Sequence, residues 1–247
     1  MALQLKNVIP WGRSFDEYRR MFALTDGDLQ GSILDCAGGP ASFNAGMHDR
    51  GYSAVSCDPI YRFSADEIRQ RIQDTYATVI EGVKASRDDY VWQEIASPEE
   101  LGRVRMAAME AFLADFGGNG SGEVDRNRYV SAELPHLPFR DGQFDLALCS
   151  HLLFTYSDLL STEFHLDAIF ELCRVAREVR SFPILDISGK LSPRFEPITM
   201  ELERRGYPFE VRSVSYEFQK GGDRLLQVRS PESVLDDRKE GIPEPGP

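Results

Sequence analysis

The sequence predicts an α/β fold in which helices cover a mostly parallel sheet that ends in an antiparallel hairpin. Three observations carry this expectation. Short β-branched or apolar runs alternate with longer helical patterns, as strand–helix–strand units do. Two strand-like stretches, FEVRSVSYEF (209–218) and RLLQVR (224–229), flank the turn signal QKGGD near the C-terminus. With 247 residues, 42% of them hydrophobic, the chain is long enough to bury one full core, so 1–230 reads as a single domain.

In chain order, WGRSFDEYRRMF places Trp11, Phe15, Tyr18 and Phe22 on one helical face, which suits either core packing or a helix folded over a site. The strand runs are SILD (32–35), AVSCD (54–58), RYVSA (128–132), FDLALCS (144–150) and VRSFPILDI (179–187), followed by a helix over 195–205. Residues 62–127 are too long for an ordinary crossover and read as a helical insertion between the second and third strands. Ser64 and Glu67 form a capping box ahead of the stripe Ile68, Ile72, Tyr76, Val79, Val83. Ser97, Pro98 and Glu100 start a second helix with the stripe Leu101, Val104, Ala108, Phe112, which ends at Gly117 and Gly118. This pair either packs on the side of the domain or caps the site. The tail 231–247, PESVLDDRKEGIPEPGP, has the composition of a disordered segment.

The net charge of −12 argues against nucleic acid as a partner and toward a small-molecule substrate. Arg69, Arg71, Arg103 and Arg105 are the residues from which a local basic groove would be built, although they suit a solvated helix face better. The four cysteines, Cys36, Cys57, Cys149 and Cys173, have neither disulfide nor zinc-ligand spacing and read as reduced, mostly buried thiols. His165, Asp158 and Asp167 lack metal-ligand spacing, so no metal site is expected. No apolar run reaches the roughly 20 residues of a membrane span and the N-terminus lacks a signal layout, so no membrane partner and a cytoplasmic location are expected. Nothing in the sequence sets an oligomeric state.

The chemistry begins at ILDCAGGPA (33–41), where a buried strand enters a turn of Ala37, Gly38, Gly39, Pro40 and Ala41. Small residues there let the backbone approach a ligand. The spacing is not G-x-G-x-x-G, so a dinucleotide pyrophosphate is disfavoured and a nucleoside ligand with a small carboxylate remains. Asp58 ends the next strand, where a carboxylate can accept hydrogen bonds from both ribose hydroxyls, and Pro59 follows it in a turn signal.

With Ile33, Leu34, Asp35, Gly39 and Pro40 at the first motif, and with SAELPHLPFRDGQFDLALCSHLLFTY (131–156) further on, the chain resembles the class I S-adenosylmethionine-dependent methyltransferases from about Ile33 to Asp186, insertion excepted. Ala37 and Ala41 replace the outer glycines of that motif. The resemblance implies a Rossmann-like, doubly wound, seven-stranded sheet whose last strand inserts antiparallel. It implies S-adenosyl-L-methionine as cofactor, held by Asp35, Ala37, Gly38, Gly39, Pro40, Asp58, Pro59, Glu133, Leu134 and Ser150, with Glu133 facing the adenine amino group. Methyl transfer needs little beyond alignment. If the acceptor must lose a proton, His151 and then Tyr156, just past the fourth strand, are the candidate bases. A histidine that opens a helix also suits a capping role. Phe154, Tyr156 and Phe164 suit a substrate pocket or helix packing equally well, and ISGKLSP (187–193) lies at the same edge of the sheet. Transfer to a small-molecule acceptor is the leading expectation. A catalytically inactive cofactor-binding or protein-interaction module is the alternative, and RNA or protein methylation follows behind it.

Overall fold

The structure, a computed structural model, describes residues 8–118 and 123–231. Seven strands form one sheet: β1 (Ile33–Cys36), β2 (Ala54–Cys57), β3 (Tyr129–Val130), β4 (Phe144–Ser150), β5 (Ala176–Phe182), β6 (Phe209–Ser213) and β7 (Arg224–Arg229). Their order is β3-β2-β1-β4-β5-β7-β6, and β7 pairs antiparallel with both β5 and β6 while the other pairings are parallel. This is a doubly wound, Rossmann-like sheet, with the antiparallel strand where the resemblance implied it.

Side chains alternate between the two faces of β4. Leu146 and Leu148 join the cluster built on Tyr18, Phe22, Phe43 and Met47, whereas Ala147 and Cys149 join that of Ile169, Leu172, Ile198 and Leu202. Both faces are therefore buried, which explains why the central strands read as unbroken apolar runs. Helices α1 (Phe15–Met21), α2 (Asp26–Gln30) and α3 (Phe43–Asp49) supply the first cluster; α6 (Thr162–Val175) and α7 (Phe195–Arg204) supply the second. All four cysteines are free and buried.

The insertion is a helical pair, α4 (Ala65–Ala85) and α5 (Pro98–Phe116). The capping box forms as expected: Ser64 Oγ accepts from the Glu67 amide and Glu67 Oε2 accepts from the Ser64 amide. Ser97 caps α5 by accepting from the Glu100 amide. Phe112 and Phe116 pack with Tyr61 and Tyr129, which anchors the insertion beside β2 and β3.

Three expectations need correction. The fifth strand begins at Ala176 and stops at Phe182, because Pro183 has no amide to continue the ladder. The sixth ends at Ser213, and the Val214 amide then bonds to the Asp223 carbonyl, so residues 214–223 form a loop. The first helix starts at Phe15 behind the Ser14 cap, which leaves Trp11 in the extended segment before it. The tail beyond Pro231 lies outside the described residues.

Candidate functional site

Pairing brings three chain exits together. Cys36 lies opposite Cys57 on one side and Cys149 on the other, so Ala37 and Asp58, which leave β1 and β2, stand level with Ser150, the last residue of β4. This is where strand order reverses about β1, the position at which open α/β sheets bind ligands. A cavity of about 780 Å³ opens there.

The turn after β1 is held rigidly. Ala37 and Gly39 both adopt left-handed backbone, with φ of 57° and 55°. The Ala37 amide donates to the Cys57 carbonyl (2.8 Å), and Tyr61 Oη donates to the Gly39 carbonyl (2.8 Å). A Cβ on Gly38 would stand 2.2 Å from Asp35 Oδ2 and 3.1 Å from Tyr61 Oη, so only glycine fits. Asp58 closes the other side: Oδ2 accepts from the Gly39 amide (3.0 Å) and Oδ1 from the Ile60 amide (2.8 Å). Burial, with some help from Glu133, raises its carboxyl to about 6 despite those bonds. Each carboxylate oxygen has acceptor capacity beyond the one bond it receives here.

Ala37, Gly38, Gly39, Pro40, Asp58, Pro59, Glu133, Leu134, Ser150, His151 and Tyr156 all line this cavity. Asp35 is the exception. It lies beneath the turn, where its carboxylate accepts from Tyr18 Oη and Ser56 Oγ (3.0 Å each) and burial raises it to about 7. Its part is to support the turn and to seat Tyr18, which does line the cavity.

His151 does not open a helix. It takes a left-handed φ of 52°, donates its amide to the Phe182 carbonyl (2.7 Å) and sets Nδ1 2.9 Å from Ser150 Oγ. Burial, then the charges of Arg13 and Arg105, push its pKa well below the usual histidine value, so the ring is uncharged at neutral pH. Tyr156 Oη accepts from the Ile9 amide (3.2 Å), which draws the N-terminal strap across the site. Phe164 lines the cavity, whereas Phe154 is buried in the core; of ISGKLSP, Ile187 reaches the cavity. His165 directs both ring nitrogens at backbone carbonyls of Ser161 and Leu153, so neither faces a metal.

The sequence reading missed the polar floor. Glu17, on α1, closes a capping box with Ser14 and accepts from Arg105 Nη1 at 2.5 and 2.7 Å. Tyr216 Oη donates to Glu17 Oε1 (3.1 Å) and accepts from Arg105 Nη2 (3.2 Å). Burial raises the Glu17 carboxyl, but the Arg105 charge and hydrogen bonds outweigh it and hold the group at about 2. Arg105 is 1% exposed, which corrects its assignment to a solvated face; Arg69 and Arg103 do lie on the surface. The signal was present: Arg105 falls one turn after Leu101 and one before Met109, inside an apolar stripe. Tyr216, Phe218 and Gln219, read as strand and turn, come to the cavity on the 214–223 loop.

Among the described residues, no helix is long and apolar enough to cross a membrane. No protein-family model matches the chain. Two solved structures similar to it are a magnesium protoporphyrin IX methyltransferase from Synechocystis PCC 6803, described with bound S-adenosylmethionine, and an S-adenosylmethionine-dependent methyltransferase from Aquifex aeolicus. The first is 16% identical, with 87% of this chain and 91% of that one covered and a TM-score of 0.42. The second is also 16% identical, with 87% of each chain covered and a TM-score of 0.39. A far nearer relative is the protein MJ0045 of Methanocaldococcus jannaschii, described as uncharacterized: 32% of 228 aligned residues are identical, spanning 92% of this chain and 98% of that protein. The chain therefore belongs to the same family as MJ0045.

Proposed function

We propose that this chain is an S-adenosylmethionine-dependent methyltransferase acting on a small molecule. The observation that carries the reading is the convergence of the Ala37–Ala41 turn and the Asp58 carboxylate on one cavity at the strand-order reversal. The donor set fits this cofactor. Gly38 and Gly39 leave a cradle without side chains, Asp58 has lone pairs for the ribose hydroxyls, and the exposed Glu133 carboxylate at the rim suits an amino group. Ala37, Pro40, Pro59, Leu134 and Ser150 complete the proposed contacts.

When bound, S-adenosylmethionine supplies an electrophilic methyl group, whose S–C bond breaks with the electron pair left on sulfur as the acceptor's lone pair bonds to carbon. The protein's contribution is alignment and exclusion of water. The strap from Val8 to Arg13 and helices α4 and α5 all line the cavity, which supports reading the insertion as a cap. His151, uncharged at neutral pH, is placed to accept the acceptor's proton at its ring, and Ser150 orients that ring through Nδ1. Enclosure also favours a small acceptor, since the polar floor is buried away from any macromolecular surface.

Calorimetric titration with S-adenosylmethionine and S-adenosylhomocysteine tests the reading. The expected result is micromolar binding that weakens by about tenfold or more in Asp58→Ala, the loss of a charge-assisted hydrogen-bond pair. Absence of binding by the intact protein overturns it.

A further inference from the structure

We propose that the methyl acceptor is a carboxylic acid with an apolar or aromatic body, its carboxylate docked on the free Nε–H of Arg105 beside that of Arg13. The inference rests on the methyltransferase reading and adds the acceptor's chemical class.

Among the described residues, the buried side-chain polar atoms without a hydrogen-bond partner are Arg13 Nε, Arg105 Nε and Thr155 Oγ1. All three residues line the same cavity. A buried polar atom without a partner is rare and costly, and three on residues lining one cavity mark it as built for a polar ligand. Arg105 is the most telling. Its Nη1 and Nη2 already donate to Glu17 and Tyr216, which fix the guanidinium and leave Nε as its nitrogen with no partner.

Charge sets the ligand's sign and size. Two guanidiniums face one carboxylate, Glu17, which its partners keep ionised, so the floor carries one positive charge in excess. A single negative charge balances it. Two separate Nε–H donors suit the two oxygens of a carboxylate, and Thr155 adds a hydroxyl.

The body of the ligand follows from what surrounds these donors. Leu101 lies one helical turn before Arg105 and packs with Val79 and Val83 in a cluster that also holds Trp11, Tyr90 and Phe218. All six line the cavity. An apolar or aromatic skeleton against that wall, with its acid group on the arginines, uses both features.

The test is calorimetry of the protein saturated with S-adenosylhomocysteine, so that the cofactor's own carboxylate site is filled, titrated with benzoate and with uncharged benzamide. One benzoate per chain is expected to bind, with benzamide weaker by about tenfold or more. Arg105→Lys keeps a cation for Glu17 but removes Nε–H; it should lose about tenfold in benzoate affinity while S-adenosylhomocysteine affinity stays within about twofold. The paired variant Glu17→Gln/Arg105→Gln removes the buried ion pair as a unit and should also lose benzoate. The proposal is overturned if benzoate fails to bind, if benzamide binds equally, if the variants retain benzoate, or if Arg105→Lys instead weakens S-adenosylhomocysteine, which would assign Arg105 to the cofactor. If the intact protein binds no S-adenosylhomocysteine, the methyltransferase reading fails separately, and benzoate titration of the protein alone still decides the anion site.

Discussion

At the scale of single residues, the turn after β1 is set by backbone that only some side chains tolerate. Ala37 holds φ 57°, where an L-residue with a Cβ is strained by about 1–2 kcal/mol. Ala37→Gly should therefore raise stability by about 0.5–1 kcal/mol, after the extra chain entropy of glycine, as read by chemical denaturation. Gly38→Ala should do the reverse, losing about 1–3 kcal/mol along with cofactor binding, because its new methyl would meet Asp35 at 2.2 Å. Unchanged denaturation midpoints in both would show that the turn is not held as described. His151 offers a kinetic prediction. With its pKa pushed below the usual value by burial, the base form is already present at mildly acidic pH, so kcat at saturating cofactor should stay flat as pH rises from about 6.5 to 8. His151→Asn, which tolerates the left-handed φ, should lower kcat by about a hundredfold with little change in cofactor affinity. The identities of Gly39 and Asp58 were legible because both residue types announce their geometry. The left-handed state of Ala37 was not, since alanine carries no such signal.

At the scale of elements, local signals read well wherever the element closes its own hydrogen bonds. The capping box of α4 satisfies orphan amides within four residues, so sequence alone locates it. Ser64→Ala should cost about 1 kcal/mol, measured by denaturation, because the Glu67 amide loses its acceptor. Elements whose ends are decided elsewhere read poorly. FEVRSVSYEF looks like one strand, but it leaves the sheet after Ser213 because Tyr216 is drawn to Glu17 and Arg105, and because the Phe218 carbonyl accepts from the Val91 amide. In α5, a charged residue inside an apolar stripe looks like surface until its partner is known. That partner is 88 residues away, on α1.

At the scale of the whole molecule, the buried carboxyls make stability depend on pH in opposite directions. Asp35 and Asp58 have folded-state values raised to about 7 and about 6, above the ordinary 3.8, so their contribution is full below about 4 and lost as pH rises through 6 to 7. Glu17 is depressed to about 2 from 4.5; its contribution is present above 4.5 and lost as pH falls toward 2. The ligand-free protein should accordingly show its highest Tm near pH 5 and lose stability toward pH 8, and Asp35→Asn should flatten that decline in a thermal scan. A Tm that rises steadily to pH 8 would contradict the burial of these carboxyls. A cationic ligand favours their ionised forms, so S-adenosylmethionine affinity should increase over the same range. By itself, the sequence determined the sheet, its antiparallel closing strand, the two capped helices of the insertion and the small-residue turn with Asp58, because periodicity, caps and turn chemistry act over a few residues. Only the tertiary structure decided that Asp35 supports rather than lines the cavity, that His151 leaves the strand in a left-handed turn, and that Glu17, Arg105 and Tyr216 meet. Those outcomes depend on burial and on partners far apart in the chain, where a side chain's charge and exposure are fixed by packing and not by its neighbours in sequence.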